Sequence, residues 1–386
     1  MGKRSGEGFV AHKAVLVSAI SRALADAVVL MGLTIERRGL LGYLKALGGS
    51  NVIKVTPYAG GASGSQATSK KPRVICGANT GYLQDMAWVG KKVPLTLCEV
   101  RVSPNNSVKP NIGSLELAEA LNRVLPFTAK DDSRPVLQCV NFVAKEGKLT
   151  LVSADGFRLA VVSLDYGDGE GQALINRNEL VGISQALKRA KRARIGFEPS
   201  GTSLDGVNLI LDTELIRYKW TSYGGSYPDY VKLIPTEANT VAHFDAVEAI
   251  KATSSLKVLA DSKSYPIDLA IGDGKIVMAN PDDKEQAEVS ADTEGEAVRV
   301  RIDGSYLTQA LRACGGMVDF KLTNAYSPTL FTTDGYQLVV MPMLTTEASE
   351  QAKAEVKAED TTTEQHEVVA ENKPKRSRKR EAVAVA

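Results

Sequence analysis

Side chains able to do catalysis are sparse in this chain, and their spacing builds no reactive centre. The three histidines, His12, His243 and His366, stand far apart and form no HExxH or other metal-ligand spacing, so no zinc site is expected. The four cysteines, Cys76, Cys98, Cys139 and Cys314, form no CxxC pair; the plain expectation is buried free thiols in a reducing cytoplasm. The glycine-rich pieces YAGGASGSQ and YGDGEGQ match neither a P-loop nor a dinucleotide fingerprint, and no serine sits in a GxSxG elbow. Asp155, Asp229, Asp282 and Asp283 fall in polar corners, where aspartate ordinarily bonds its own backbone. Neither intrinsic catalysis nor a cofactor is expected. The recurrent chemistry is cationic. Lys188, Arg189, Lys191 and Arg192 close a helical pattern at the end that the helix dipole favours for positive charge. Groups of this kind hold phosphates through counterion release, without reading sequence.

The net charge of +2 over 386 residues hides an uneven distribution. From Thr345 the apolar periodicity stops, and the chain becomes rich in Glu, Lys, Ala and Thr before turning basic in KPKRSRKR, Lys373 to Arg380. Such a segment buries too little apolar surface to offset its ordering entropy, so a disordered tail is expected, adding phosphate affinity but no core. No apolar run is long enough to cross a membrane, and MGKRSGEGFVAHKAV lacks the apolar core of a secretion signal, so a cytoplasmic protein is expected.

The elements around these groups repeat. LVSADGFRLAVVSL, Leu151 to Leu164, reads as strand, polar corner, strand, with Gly156 supplying the backbone freedom of the corner. KIVMANPDDKEQAEVS, Lys275 to Ser290, repeats that form about 125 residues later, a period too long for a solenoid and right for tandem domains. A helical pattern precedes each hairpin, Leu115 to Phe127 and Phe244 to Leu259, and another follows it, Glu179 to Ala190 and Tyr306 to Ala313. In the first helix Ser114 reads as N-cap, with Leu115, Leu117, Ala118, Leu121 and Leu125 as the apolar stripe; in the second, Leu180, Ile183 and Leu187 face inward. Each unit is thus helix, about three strands, helix, about three strands. That order predicts an α+β fold with both helices on one face of an open, antiparallel sheet. The first 105 residues open like a third copy, but past Gly39 the correspondence dissolves; LLGYLKALGG reads as a short helix and YAGGASGSQATSKKP as a flexible loop.

SADGFRLAVVSL resembles the ATDGHRLA hairpin of the bacterial sliding clamp family, the β subunit of DNA polymerase III. GGSYPDYVKLIP is similar to that family's G-x-F-P-D-Y-x-x-V-I-P connector, and LVVMPM, Leu338 to Met343, resembles its closing VVMPM. The three occur in the family's order between Val108 and Leu344. The resemblance implies tandem clamp domains at 1–108 (a divergent first domain), 109–235 and 236–344, followed by a charged tail at 345–386. Two chains joined head to tail would form a ring around duplex DNA, with helices lining the hole and sheets outside. Such a protein is a processivity factor and an accessory subunit of a DNA-directed DNA polymerase. It also implies a peptide pocket that recruits polymerase, clamp loader and repair factors, lined by Leu137, Ala154, Gly156, Phe157, Arg158, Leu159, Pro228, Lys232, Leu233, Pro328, Val339, Met341, Pro342 and Met343. The implied DNA-facing side chains are Arg123, Lys188, Arg189, Lys191, Arg192, Lys251, Lys257 and Arg312. Three features depart from the family: Phe157 replaces the usual His, the first domain is short, and the chain continues past Met343. The rival reading is a non-ring DNA-binding or regulatory protein built from clamp domains.

Overall fold

The computed structural model describes residues 9–22, 27–30, 33–47, 52–58, 71–83, 98–102, 107–200, 206–214, 216–260, 265–281, 285–345 and 348–350. In the first domain β1 (Phe9–His12) runs into α1 (Lys13–Arg22), followed by the hairpin β2 (Ala27–Leu30) and β3 (Leu33–Glu36) and then α2 (Arg37–Ala46). Glu36 caps α2, its carboxylate accepting from the Gly39 amide at 3.1 Å, and the helical spacing of Leu40, Leu41 and Leu44 buries one face. β4 (Val52–Tyr58), β5 (Lys71–Cys76), β6 (Asn79–Tyr82) and β7 (Cys98–Val102) complete the domain.

The second domain opens with α3 (Ser114–Val124), followed by β8 (Cys139–Lys145), β9 (Lys148–Ala154), β10 (Arg158–Asp165) and β11 (Gly171–Asn176). The expected second helix is broken into α4 (Arg177–Leu180) and α5 (Ile183–Leu187). Gly182 between them sits at φ 90°, left-handed backbone that cannot continue a right-handed helix. β12 (Ala193–Pro199), β13 (Val207–Thr213) and β14 (Ile216–Thr221) follow. Two finer expectations are also corrected. Gly113 is the N-cap of α3, while the Ser114 hydroxyl donates across to the Ala190 carbonyl at 2.9 Å; Leu115 is exposed, since its side chain lies off the buried stripe.

The third domain contains β15 (Thr240–Asp245), α6 (Ala246–Leu259), β16 (Pro266–Gly272), β17 (Lys275–Ala279), β18 (Gln286–Gly295), β19 (Val298–Asp303), α7 (Gly304–Cys314), β20 (Met317–Leu322), β21 (Thr329–Thr333) and β22 (Tyr336–Val340). Asp245 and Asp303 cap α6 and α7 with their carboxylates. Strand β18 divides its pairing: residues 286–290 lie against β17, and residues 291–295 against β15.

The two later domains correspond strand for strand. β8, β9, β10 and β11 match β16, β17, β18 and β19, with Cys139↔Asn176 in the register place of Pro266↔Asp303. In the first domain the correspondence resumes beyond Gly39, because α2 and β4–β6 take the places of α7 and β20–β22. What is missing is the hairpin equivalent to β17–β18: only Met31 and Gly32 separate β2 from β3. β7 fills that place from the far end of the domain, pairing parallel to β2 and antiparallel to β14. It is a parallel pair in a fold otherwise expected to be antiparallel.

Sheets cross both domain boundaries. β10 pairs with β22, Arg158↔Val340 through Val162↔Tyr336, within a sheet of twelve strands; β14 pairs with β7 within a sheet of six. The helices cover one side, α1 with α2, α3 with α5 and α6 with α7. α1 on α5 and α3 on α7 join them across the boundaries into one row. One buried core runs from Ile112 to Val340 through the second and third domains, and a separate one, from Ala11 to Leu83, serves the first. The expected disordered tail begins as ordered chain. The Thr345 carbonyl accepts from the Ser349 amide at 2.9 Å, and Ala348 is buried against the third domain. Lys373 to Arg380, and Asp282 and Asp283, lie outside the described residues.

The two cores set an expectation for unfolding. Calorimetry should resolve a smaller transition from the first domain and a larger one from the other two together. Ile35→Ala, a fully buried position, should lower only the smaller, by roughly 2–5 kcal/mol.

Candidate partner-docking surface and helical face

The corner between β9 and β10 is fixed by its own side chains. The Asp155 carboxylate accepts from the amides of Phe157 and Arg158 at 3.0 and 2.9 Å, and Gly156 adopts φ 96°. Strand alternation then sends successive β10 residues to opposite faces. Leu159 and Val161 point outward and form an apolar cluster with Val152, Leu330 and Val339, bounded by Ala154, Tyr227, Tyr230 and Ile234. Ala160 and Val162 point toward the helices.

Arg158 also points toward the helices, which removes it from the expected pocket wall. Its Nε and Nη2 donate to Asp155 Oδ2 at 3.0 and 2.6 Å, and Nη1 donates to Gln309 Oε1 of α7 at 2.9 Å. The guanidinium lies between the rings of Phe127 and Tyr306, 5.0 and 4.1 Å from their centroids. The group ties the second-domain corner to a third-domain helix. Burial, with Asp155 nearby, pushes the Tyr306 phenol above its ordinary range.

The structure sorts the remaining pocket residues. Phe157 is more than half exposed, 6.4 Å from the Tyr306 ring, and its carbonyl accepts from the Met341 amide at 2.9 Å, carrying the β10–β22 pairing one step further. Met341 and Met343 are exposed beside it, and Pro328 and Pro342 are half-buried. Leu159 and Val339 form the floor with Ala154, while Gly156 stands exposed at the corner. Leu137 is buried in the 3₁₀ turn leading into β8 and does not join the outward cluster. Pro228, Lys232 and Leu233 are exposed; Lys232 pairs with Asp229 at 2.9 Å, and Tyr227, Tyr230 and Ile234 are the connector residues that pack down. The Tyr227 hydroxyl is buried beside Ala154, and desolvation drives its pKa far upward. Leu151-Val152 and Leu159 to Val162 are continuous apolar runs, so the sequence alone did not separate the outward Val152 and Val161 from the inward Leu151, Ala160 and Val162.

On the helical side, Lys188, Arg189, Lys191, Arg192, Lys251, Lys257 and Arg312 are all exposed. The four in the second domain lie past α5, not on a long helix, and the Glu214 carboxylate accepts from the Lys191 amide at 3.0 Å. Arg123 is half-buried over the Tyr336 ring at 5.5 Å, and Lys257 lies over Tyr265 at 5.6 Å. Exposed Arg38 and Lys45 of α2 extend the row into the first domain; the expected set omitted them. Among the described residues no cluster of His, Cys, Asp and Glu could hold a metal.

Solved sliding clamps share this architecture. The chain is 21% identical to the DNA polymerase sliding clamp of Pseudomonas aeruginosa, with TM-score 0.60 over 81% of this chain and 82% of that one. It is 16% identical to that of Bacillus subtilis, with TM-score 0.60 over 81% of this chain and 80% of the other. Family models for the central and C-terminal domains of the DNA polymerase III beta subunit match residues 111–229 and 231–347. The chain belongs to the bacterial beta sliding clamp family, as a divergent member. It is 24% identical over 248 residues to the beta sliding clamp of Streptomyces coelicolor, covering 58% of this chain and 64% of that protein. To that of Pseudomonas aeruginosa it is 27% identical over 255 residues, covering 61% and 66%. The chain therefore spans slightly less than two thirds of these curated relatives.

The buried corner yields a test. Arg158→Ala removes the cation from Asp155 and empties the space between two rings, so thermal unfolding of the second and third domains should lose about 3–5 kcal/mol. Arg158→Met, which fills that space without the charge, should retain more stability if ring packing is a main contribution.

Proposed function

We propose that this protein is a sliding clamp that encircles duplex DNA as a head-to-tail dimer and tethers a DNA polymerase through short apolar peptide motifs, with no catalysis of its own. One observation carries the reading: the sheet junction that joins domains twice within the chain is available again at its two ends. β10 and β14 each meet a strand of the neighbouring domain, and β18 is the third-domain equivalent of β10. Residues 286–290 of β18 pair with β17 on one side and leave the other side open, and β6, the equivalent of β22, is the edge strand of its sheet. A second copy turned head to tail brings the two edges together and closes six domains into a ring.

The row of helices would then line the hole. Topological enclosure needs no base reading, so scattered exposed cations suffice, each meeting phosphates weakly. The outward cluster and its rim of Phe157, Met341 and Met343 fit Leu and Phe side chains of a docking peptide. Thioethers re-pack around different partners, and Phe157 in place of the family's His makes this surface more apolar.

Light scattering of the full chain should give twice the chain mass, and the protein should be retained on closed circular DNA and lost on linearisation. A monomer that binds linear DNA as well as circular would favour the non-ring reading. With cognate polymerase and loader, product length per binding event should rise; no change would remove the processivity role. Phe157→Ala with Met341→Ala, both exposed and outside the core, should weaken a Leu/Phe-containing peptide at least tenfold by calorimetry while leaving unfolding unchanged. Replacing Lys188, Lys251 and Arg312 together by Ala should flatten the log–log salt dependence of DNA binding by about 0.9 per lost phosphate contact.

A further inference from the structure

The third domain has an exit that matches the connector leaving the second. After β14 the Tyr223 amide donates to the Leu174 carbonyl of β11 at 2.8 Å; after β22 the Met343 amide donates to the Arg301 carbonyl of β19 at 2.7 Å. Leu174 and Arg301 hold the same register place, paired through β8 and β16. From Tyr223 the connector crosses the outer face of its domain over Gln172 and Leu174, and Tyr230 and Ile234 then seat on the β10–β22 junction. Thr345 and Ala348 begin the same crossing on the third domain, lining a trough of about 680 Å³ with Asp268, Arg299 and Arg301.

That trough is built for a covering segment. Asp268 points to the outer face of β16 yet is only 4% exposed, held by Arg301 Nε at 2.5 Å, Arg301 Nη2 at 2.8 Å and Arg299 Nη2 at 2.9 Å. Its second-domain equivalent is Asn141, bonded by Gln172 at 3.0 Å under the connector. Ala348 is 3% exposed, packed onto this face.

We propose that the segment from Met341 onward is a third connector, one that passes between chains: it crosses the outer face of the third domain to the β18 edge and lies on the first domain of a second copy. The proposal rests on the head-to-tail dimer proposed above. Reach permits it. Tyr230 follows Tyr223 by seven positions, the same count from Met343 arrives at exposed Glu350, and residues 351–386 remain beyond. The receiving face fits. On the outer side of the first-domain sheet Val10 and Val52 are exposed beside Lys54, with half-buried Arg73 and Ile75 on the next strand. The segment offered to them, QAKAEVKAED, Gln351 to Asp360, has three acidic and two basic residues. Acidic charge facing Lys54 and Arg73, with small apolar residues against Val10 and Val52, complements that surface.

The test uses the full chain with Glu350→benzoylphenylalanine, and a second variant with Lys353→benzoylphenylalanine, irradiated after mixing isotopically light and heavy copies. Sedimentation of the same samples gives the oligomeric state. The expected result is light–heavy crosslinks ending in peptides from residues 52–83, in the dimer fraction. Dimers whose crosslinks join only atoms of one chain overturn the strap and leave the ring standing. A monomer at every concentration overturns the dimer, and the strap with it.

Discussion

Everything in this molecule depends on pairing backbone across domain boundaries. A strand at a sheet edge presents a row of amides and carbonyls that must find partners or water, and most proteins blunt such edges. Here the edges are used. β10 takes β22, and β14 takes β7, so the boundary between domains is a ladder of main-chain hydrogen bonds, insensitive to which side chains stand on it. Side chains reinforce the ladder on both faces at the junction of the second and third domains: Leu159, Val161, Leu330 and Val339 outside, and Arg158 with Asp155 and Gln309 inside.

A ladder of this kind sets a fixed relation between neighbouring domains and therefore the curvature of the whole row. The helices follow passively, each pair carried by its sheet. Arg158 occupies an informative place in this arrangement. A buried, fully bonded guanidinium between two rings tolerates little displacement, so a corner that is apolar on its outer side is anchored by charge on its inner side.

Legibility in the sequence followed the same division. The β9–β10 corner was readable because its turn chemistry is local: an aspartate that bonds the next amides and a glycine at positive φ. The caps Asp245 and Asp303 use equally local chemistry, yet the sequence reading began these helical patterns at Phe244 and Tyr306. The break at Gly182 was not, since a single glycine in a strong apolar pattern is usually tolerated, and nothing local in the sequence announces its left-handed backbone. The first domain was obscured because its counterpart of the β17–β18 hairpin is gone, and with it the motif that marks the other copies. In the candidate site, the resemblance supplied Leu159, Val339 and Ala154 of the outer cluster, whereas Tyr227 and Tyr230 could be placed only once the path of the connector was known. Ala348 was lost for the opposite reason: composition made its surroundings look solvated, and one buried methyl group leaves no trace in composition.

The position of β7 bears on how a nascent chain matures. β7 lies between β2, about seventy residues earlier, and β14, more than a hundred residues later, so the sheet it completes cannot form until the second domain has been synthesised. Loop closure of that length is slow, and the rewired first domain gains its last strand from a template that emerges after it. In a chain made from its N-terminus, the β7–β14 ladder is completed only after β14 has emerged.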